Sequence, residues 1–442
     1  MPGIGLETLT AEIESVQPVR PVGRISALGG GTVTVTGLSD EAALGDLVEL
    51  PRGTGAKMRG EVLTLAPSSI TVLPDGDAEG LQIGDRVILL GQDGISPHES
   101  WIGRVIDPYG QALDDGPIMR GEKPHPLRGE PLNPTQRRGL GPRLETGMTV
   151  FNTMLPIVRG QRIGLFSGSG VGKTTLLARL ALGLQADMVV IAMIGERGRE
   201  VREFVERVLG PAGMQRAIVV AATSDMSPMT RRRCAWAAMA VAEHFRDEGK
   251  HVLFLADSVT RFADAHREVA LASGEAGSLR GYPPSTTHLI TSLCERAGPG
   301  TEMSGDITAI FSVLVAGSDM EEPVADILRG VLDGHVILDR KIAERGRFPA
   351  IDLLRSISRS LPEAANDDEN ALIAAARQSL GTYDRSEMMI QAGLYAPGSD
   401  AGIDAAIEAF PKLDAFITKR EPENSVASFT ELAECLRRQG SK

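Results

Sequence analysis

The stretch GLFSGSGVGKTTLLARL, residues 164–180, constrains this chain more than any other. An apolar run leads into a glycine-rich turn, then Gly-Lys-Thr-Thr, then leucines at helical spacing. The order predicts a strand over 162–166 and a helix whose buried face carries Leu176, Leu177, Leu180 and Leu184. Backbone N–H groups of such a turn, and of the helix N-terminus behind it, point at anionic oxygens. Gly168, Gly170 and Gly172 keep that backbone open, with Ser169 and Val171 between them. Lys173 would reach the β- and γ-phosphates of a nucleotide, the Thr174 hydroxyl would ligate Mg²⁺, and Thr175 lies in the same cradle. One position departs from the pattern G-x-x-x-x-G-K-[ST]: Ser167 stands where glycine is usual. It falls at the strand exit, where a small side chain suffices.

Two carboxylates follow at the ends of later apolar runs. In HVLFLADSVTRF, Asp257 sits where it can hold the Mg²⁺ shell opposite the threonine. An aspartate after a strand also serves as a plain helix cap. In MVVIAMIGERGREVREF, Glu196 follows a strand one crossover after the phosphate loop, so its side chain should emerge on the phosphate side of the sheet. There it can orient a water and accept its proton. Ion pairing with Arg197 or Arg199 is the alternative reading of the same residue.

The remaining pattern divides the chain into three. From about 22 to 93, GTVTVTGL, GDLVELP, RGEVLTLA, SSITVL and GDRVILL alternate apolar and polar residues between Gly, Asp and Pro. Short strands at this spacing suggest a small closed barrel, with a β-sandwich as the alternative. From 94 to 365, runs such as RIGLF, AIVVAA and ITAIFSVLV alternate with helical stretches, as in a parallel sheet. From 366 to 442 the period is only helical, with Leu372, Ile373, Ala376 and Leu380 on one stripe. Ahead of the barrel, Leu6, Leu9, Ile13 and Val16 form a weak helical stripe, suited either to a partner or to packing on its own domain.

Lys and Arg number 46 against 58 Asp and Glu, for a net charge of −12, and aromatics are 4% of the residues. This argues against a nucleic-acid coat, a polybasic membrane binder or a stacking platform for single strands. Cys234, Cys294 and Cys435 lie far apart and read as reduced thiols of a cytosolic protein. Neither a signal peptide nor a transmembrane run is expected.

Taken together, GQRIGLFSGSGVGKTTLL, IGERGREVREF, FLADSVTRFADA, GYPPS, GSDMEEPVADILRGVLDGHVILDR and RGRFPAIDLLRSISR resemble the rotary-type ATPases related to the F1 β subunit. The branch they resemble most energises type III protein export, flagellar or injectisome. The resemblance spans roughly residues 20–420. It implies an α/β fold: a RecA-like P-loop nucleotide domain (94–365), an N-terminal small β-barrel (1–93) and a C-terminal helical domain (366–442). It implies ATP with Mg²⁺, a homohexamer and a cytoplasmic place peripheral to the inner face of the membrane. The partners implied are a stator-like regulator at the N-terminus, a central-stalk protein, the export gate and chaperone–substrate complexes. In this branch a small residue commonly replaces the first loop glycine, which accommodates Ser167.

Residue by residue, Lys173 and Thr174 match the loop lysine and the Mg²⁺ hydroxyl, and Asp257 matches the metal-site aspartate. Glu196 matches the catalytic glutamate, and Arg197 the arginine beside it. Phe348 falls where the relative has an aromatic packed on adenine, although an ordinary core phenylalanine reads the same way. Arg359 matches the arginine that reaches a neighbouring subunit's site. A proton-driven synthase subunit is disfavoured because GERGREVREF differs from the synthase-like GERTREGNDL and no DELSEED-like segment is present. A hexameric RNA helicase is disfavoured by the acidic, aromatic-poor composition, and a non-catalytic subunit by the presence of both Glu196 and Arg359.

Overall fold

The computed structural model describes residues 19–52, 57–92, 94–114, 116–315, 320–421 and 423–437. The expected helix with Leu6, Leu9 and Ile13 lies outside the described residues. The chain forms two compact units, each drawn from three separate stretches. The first takes the chain up to Leu132, Met188–Glu248 and Ala256–Arg296. The second takes Asn133–Asp187, Gly249–Leu255 and the chain from Ala297 on.

In the first unit, six antiparallel strands close into a barrel in the order β1-β2-β5-β4-β3-β6. They are β1 (Val22–Gly29), β2 (Thr32–Thr36), β3 (Leu47–Pro51), β4 (Lys57–Ala66), β5 (Ser69–Pro74) and β6 (Arg86–Gly91). Along β5 every second residue is buried, so Ile70 and Val72 join Val33, Val35, Val48 and Leu50 in the barrel core. Closure leaves no unpaired edge and favours the barrel over a sandwich. β1 is the one barrel strand missing from the expected runs. Only Gly23 and Ile25 are buried in it, and its pairing with β2 slips between Ile25 and Ala27, so the alternation fades.

The same unit holds parallel strands β9 (Met188–Glu196), β10 (Ala217–Thr223) and the two-residue β7 (Val105–Ile106), paired in that order. All of β9 is buried, as its unbroken apolar run requires. Helix α3 (Pro228–Asp247) opens with Pro228 in its first turn and the Ser227 hydroxyl accepting from the Thr230 N–H. Asp75, just past β5, accepts from the hydroxyls of Ser227 and Thr230, the second at 2.8 Å. The barrel thereby grips the start of α3. Helices α4 (Val259–Ala272) and α5 (Ser285–Arg296) complete the unit.

The second unit places β14 (Ile351–Ser358), β13 (Gly334–Leu338), β8 (Arg162–Ser167) and β12 (Ile307–Leu314) side by side in that order. β13 and β12 run parallel to β8, and β14 runs antiparallel to β13. β8 extends one residue beyond the expected strand. Helix α1 (Lys173–Gly183) buries Leu176, Leu177 and Leu180, and Leu184 is buried just past its end. Strand β11 (Val252–Asp257) is buried at every position. Ahead of it, the buried Thr308 hydroxyl accepts from the Gly160 N–H at 2.9 Å and faces His251 Nε2 at 2.8 Å. That geometry suits a neutral imidazole accepting the hydroxyl proton, and burial pushes His251 down to about 4.

After helix α6 (Pro323–Val331), three helices come last among the described residues: α7 (Asp367–Gln391), α8 (Ala401–Thr418) and α9 (Ser425–Leu436). Asn366 and Glu369 form a capping box at the start of α7, and Arg143 pairs with the same glutamate at 3.0 Å. Ile373, Ala376 and Leu380 are buried with Leu413, Phe416 and Leu432. The three cysteines are free and buried.

Candidate functional site

The phosphate loop is a feature of the second unit. β8 ends at Ser167, and the turn then uses Gly170 (φ 77°) and Gly172 (φ 86°) in the left-handed region that side chains disfavour. Gly172 is the N-cap of α1 and offers no side chain to its N–H groups. The first turn of α1 carries no acid either, so the positive end of the helix dipole remains available to an anion. Lys173 is half-buried, and Thr174 and Thr175 are exposed. The Ser167 hydroxyl is buried without a hydrogen-bond partner at the strand exit.

Phe348 belongs to the same unit and is not a core residue, since it is 46% exposed. A Cβ built on Gly172 would stand 3.2 Å from its Cδ1, so the ring lies against the loop and needs glycine there. Arg347 holds the chain around it, donating to the carbonyls of Pro349 at 3.3 Å and Ile351 at 2.8 Å and pairing with Asp414 at 3.0 Å. An exposed, braced ring beside a phosphate loop can stack on a flat base. Arg359 is exposed just after β14, with its backbone N–H on Asp333 O at 3.0 Å and Nη2 donating to Arg329 O at 3.1 Å.

The carboxylates belong to the first unit. Glu196 closes β9 and is 9% exposed. The β9–β10 register pairs Ile194 with Ala222 and then Glu196 with Thr223, passing over Gly195. Gly195, at φ 67°, is thus a bulge of the kind that re-aims the next side chain. Ser224 N–H fixes the Glu196 carbonyl at 3.0 Å. Arg261 Nε lies 3.8 Å from Glu196 Oε1, and this buried nitrogen has no hydrogen-bond partner. Arg197, by contrast, is exposed at the N-cap of α2 (Gly198–Glu203) and pairs with Glu200 at 3.6 Å.

Asp257 closes β11 and is 5% exposed. The helix that follows, α4, is capped by Ser258, so Asp257 is not its cap. Arg261 lies inside DSVTRF, and the sequence reading gives it no role. The available signal was its place one turn into the helix that Asp257 precedes.

Comparison with known proteins bears on the whole chain. Residues 147–358 match the ATP synthase alpha/beta family nucleotide-binding domain, and residues 365–438 match the T3SS EscN ATPase C-terminal domain. A flagellum-specific ATP synthase of Caulobacter vibrioides is 41% identical over 425 residues, covering 95% of this chain and 96% of the relative. That of Salmonella typhimurium is 39% identical over 421 residues, covering 93% and 92%. Among solved structures, the assembled ATPase EscN of the enteropathogenic E. coli type III secretion system has a TM-score of 0.84 at 33% identity. It covers 94% of this chain and 100% of the other. A second structure, of EscN in complex with its central stalk EscO, matches with the same score, identity and coverage. With a flagellum-specific relative 41% identical over 95% of its length, this chain belongs to the family of flagellum-specific ATP synthases and type III secretion ATPases.

Proposed function

We propose that this chain hydrolyses ATP to ADP and phosphate to energise protein export through the flagellar type III apparatus. The observation that carries the reading is the loop at Gly172: an acid-free helix start with Phe348 laid against it, in a chain whose full-length relatives are flagellum-specific. Lys173 and the loop N–H groups hold the phosphates, Phe348 stacks on the base, and Glu196 orients and deprotonates the water. Thr174 and Asp257 offer the hard oxygens Mg²⁺ prefers, and the ion would neutralise charge on the phosphates. Arg197 supports Glu196, and Arg359 reaches the site of a neighbouring copy.

In this reading the segments 1–93, 94–365 and 366–442 act as barrel, motor and helical domain of a homohexamer. EscN is described in complex with a central stalk. We extend a stalk partner to this chain, with a stator-like regulator at its N-terminus and with the export gate and chaperone–substrate complexes as further partners. Among the described residues no helix is long and apolar enough to cross a membrane. The proposed location is cytoplasmic, peripheral at the inner face of the membrane. The EscN likeness supports an injectisome role as the second reading, separated from the first by whether deletion abolishes motility or secretion of non-flagellar proteins.

The test is subunit mixing. Arg359→Ala and Lys173→Ala should each bind to the ring and turn over poorly, with an inserted arginine worth roughly 1,000- to 100,000-fold in rate. Mixed above the assembly concentration, they should recover part of the activity, because some interfaces pair an intact lysine with an intact arginine. No recovery in rings shown by pull-down to be mixed would remove Arg359 from the site. Stimulation of wild-type turnover by RNA would revive the helicase reading.

A further inference from the structure

Phe348 is exposed, so burial does not fix where its ring points. The chain on either side of it is fixed. Pro349, Ala350 and Ile351 are buried, and the Arg347 side chain is only 12% exposed. Its guanidinium uses all three nitrogens. Nη1 donates to Pro349 O at 3.3 Å, Nη2 donates to Ile351 O at 2.8 Å, and Nε faces Asp414 Oδ1 at 3.0 Å. The two carbonyl bonds close a loop around Phe348, and the third contact ties that loop to α8.

Asp414 is itself held in place. Leu413 and Phe416, close to it along α8, are buried. Phe416 O accepts from the Thr149 hydroxyl, and Lys419 O accepts from the Thr149 N–H at 3.3 Å. The other charges beside Arg347 are engaged elsewhere. Arg345 pairs with Glu387 at 3.1 Å, and Asp352 accepts from the Arg355 N–H at 3.2 Å and lies 3.8 Å from Arg355 Nη1. A cavity of about 430 Å³ is lined by Arg347 and Asp414 together with Leu353, Leu380, Tyr383 and Phe410. Apolar packing between β14 and the last helices is therefore incomplete here, and the Arg347–Asp414 pair carries the connection.

We infer that Arg347 is a positioning residue for the base-stacking ring, and that Asp414 makes the grip on the base depend on α8. The inference rests on the reading in which Phe348 stacks on the base. A ring free to turn must be ordered when it stacks, whereas a ring whose backbone is already held loses less freedom. By reciprocity, a bound base favours the arrangement of α8 in which Asp414 meets Arg347. Arg347 touches neither base nor phosphate and acts only through its neighbour.

The test is equilibrium titration of the full chain with ATP and with inorganic tripolyphosphate, which carries phosphates but no base. Phe348→Ala should weaken ATP roughly ten- to hundredfold, the scale of one base–aromatic stack, and leave tripolyphosphate unchanged. Arg347→Met should weaken ATP about tenfold, the cost of ordering one side chain on binding. Asp414→Asn, at a partly exposed position that tolerates the change, should weaken it about threefold, the scale of such an ion pair. Neither should alter tripolyphosphate binding. Asp414→Glu keeps the charge and should bind ATP as the natural chain does. Arg347→Met combined with Asp414→Asn should bind no more weakly than Arg347→Met alone, because Asp414 acts through Arg347. Melting curves confirm folding. ATP binding indifferent to Arg347→Met and Asp414→Asn, or an equal loss for both ligands, overturns the inference, and a response to Phe348→Ala then leaves the base reading standing. If Phe348→Ala also leaves ATP binding unchanged, the base reading falls with it.

Discussion

At the phosphate loop the chain uses its backbone, whereas at Glu196 it uses a buried side chain aimed by a bulge. The loop leaves Gly170, Thr174 and Thr175 exposed. The strand end leaves Glu196 9% exposed, with Arg261 3.8 Å from its carboxylate. A backbone cradle depends on which φ angles are accessible and tolerates changes of side chain. A buried carboxylate depends on one functional group and tolerates none. Substitutions at the strand end should therefore harm chemistry, and those in the loop should harm shape.

The largest expected effect tests the side-chain half. Glu196→Gln keeps the size and removes the proposed base, so turnover should fall roughly 100- to 10,000-fold. Nucleotide affinity, measured by equilibrium titration, should stay within a few-fold. An equal loss of affinity would make Glu196 structural and erase the contrast.

Acid should next erase the difference between the two units. Each buries a neutral histidine, His266 in the first and His251 in the second, both held down to about 4 by burial above all. The unfolded chain binds those protons near pH 6.5, so it holds more protons than the native state between about 4 and 6.5. Stability is therefore full above about 6.5 and declines as pH falls toward 4, on the order of 1–3 kcal/mol for each histidine. Thermal melts at stepped pH should show the decline, and His251→Gln should flatten part of it. An unchanged slope in that variant would remove the Thr308–His251 contact from the account.

The backbone half is tested by Gly172→Ala. A side chain at φ 86° costs roughly 1–2 kcal/mol, and its Cβ would stand 3.2 Å from Phe348. The KM for ATP should rise about tenfold, with kcat less affected. A drop confined to kcat would mean that the loop takes part in the chemical step.

The smallest effect is expected at Ser167→Gly. It removes a buried hydroxyl without a partner, so ATPase rate should remain within about twofold and stability within about 0.5 kcal/mol. A large loss would give that hydroxyl a direct role with the ligand.

Much of this was legible because local pattern and tertiary role agree. The loop, α1 and the leucines behind it form one continuous signal, and β2 through β6 alternate as barrel strands must. The apolar runs of β8 to β12 announce burial on both faces. β1 was hidden because only Gly23 and Ile25 face inward, β7 because it is two residues long, and β14 because Leu354 and Arg355 are both exposed in mid-strand. That Asp257 and Glu196 stand at the ends of buried strands was legible from the apolar runs before them. The bulge at Gly195 and the approach of Arg261 were not, since both arise from pairing between segments far apart in sequence. Phe348 reads in sequence either as core or as a stacking ring, and its exposure beside Gly172 removes the core reading.

The threading of each unit from three stretches has a consequence for synthesis. The barrel closes on residues 22–91 and can form as soon as they leave the ribosome. Its partner α3 comes much later, and Asp75 and Glu61 wait for Ser227 and Arg232 to be made. The first unit is complete only at Arg296. At roughly 5–20 residues per second, the interval after Leu132 is on the order of ten seconds or more. Through it the nascent chain carries the buried apolar strand β8 without β12 and β13, its neighbours in the sheet, and this is the period in which chaperone protection is most needed. A ribosome stalled inside 249–296 would release a finished barrel attached to an unfinished motor.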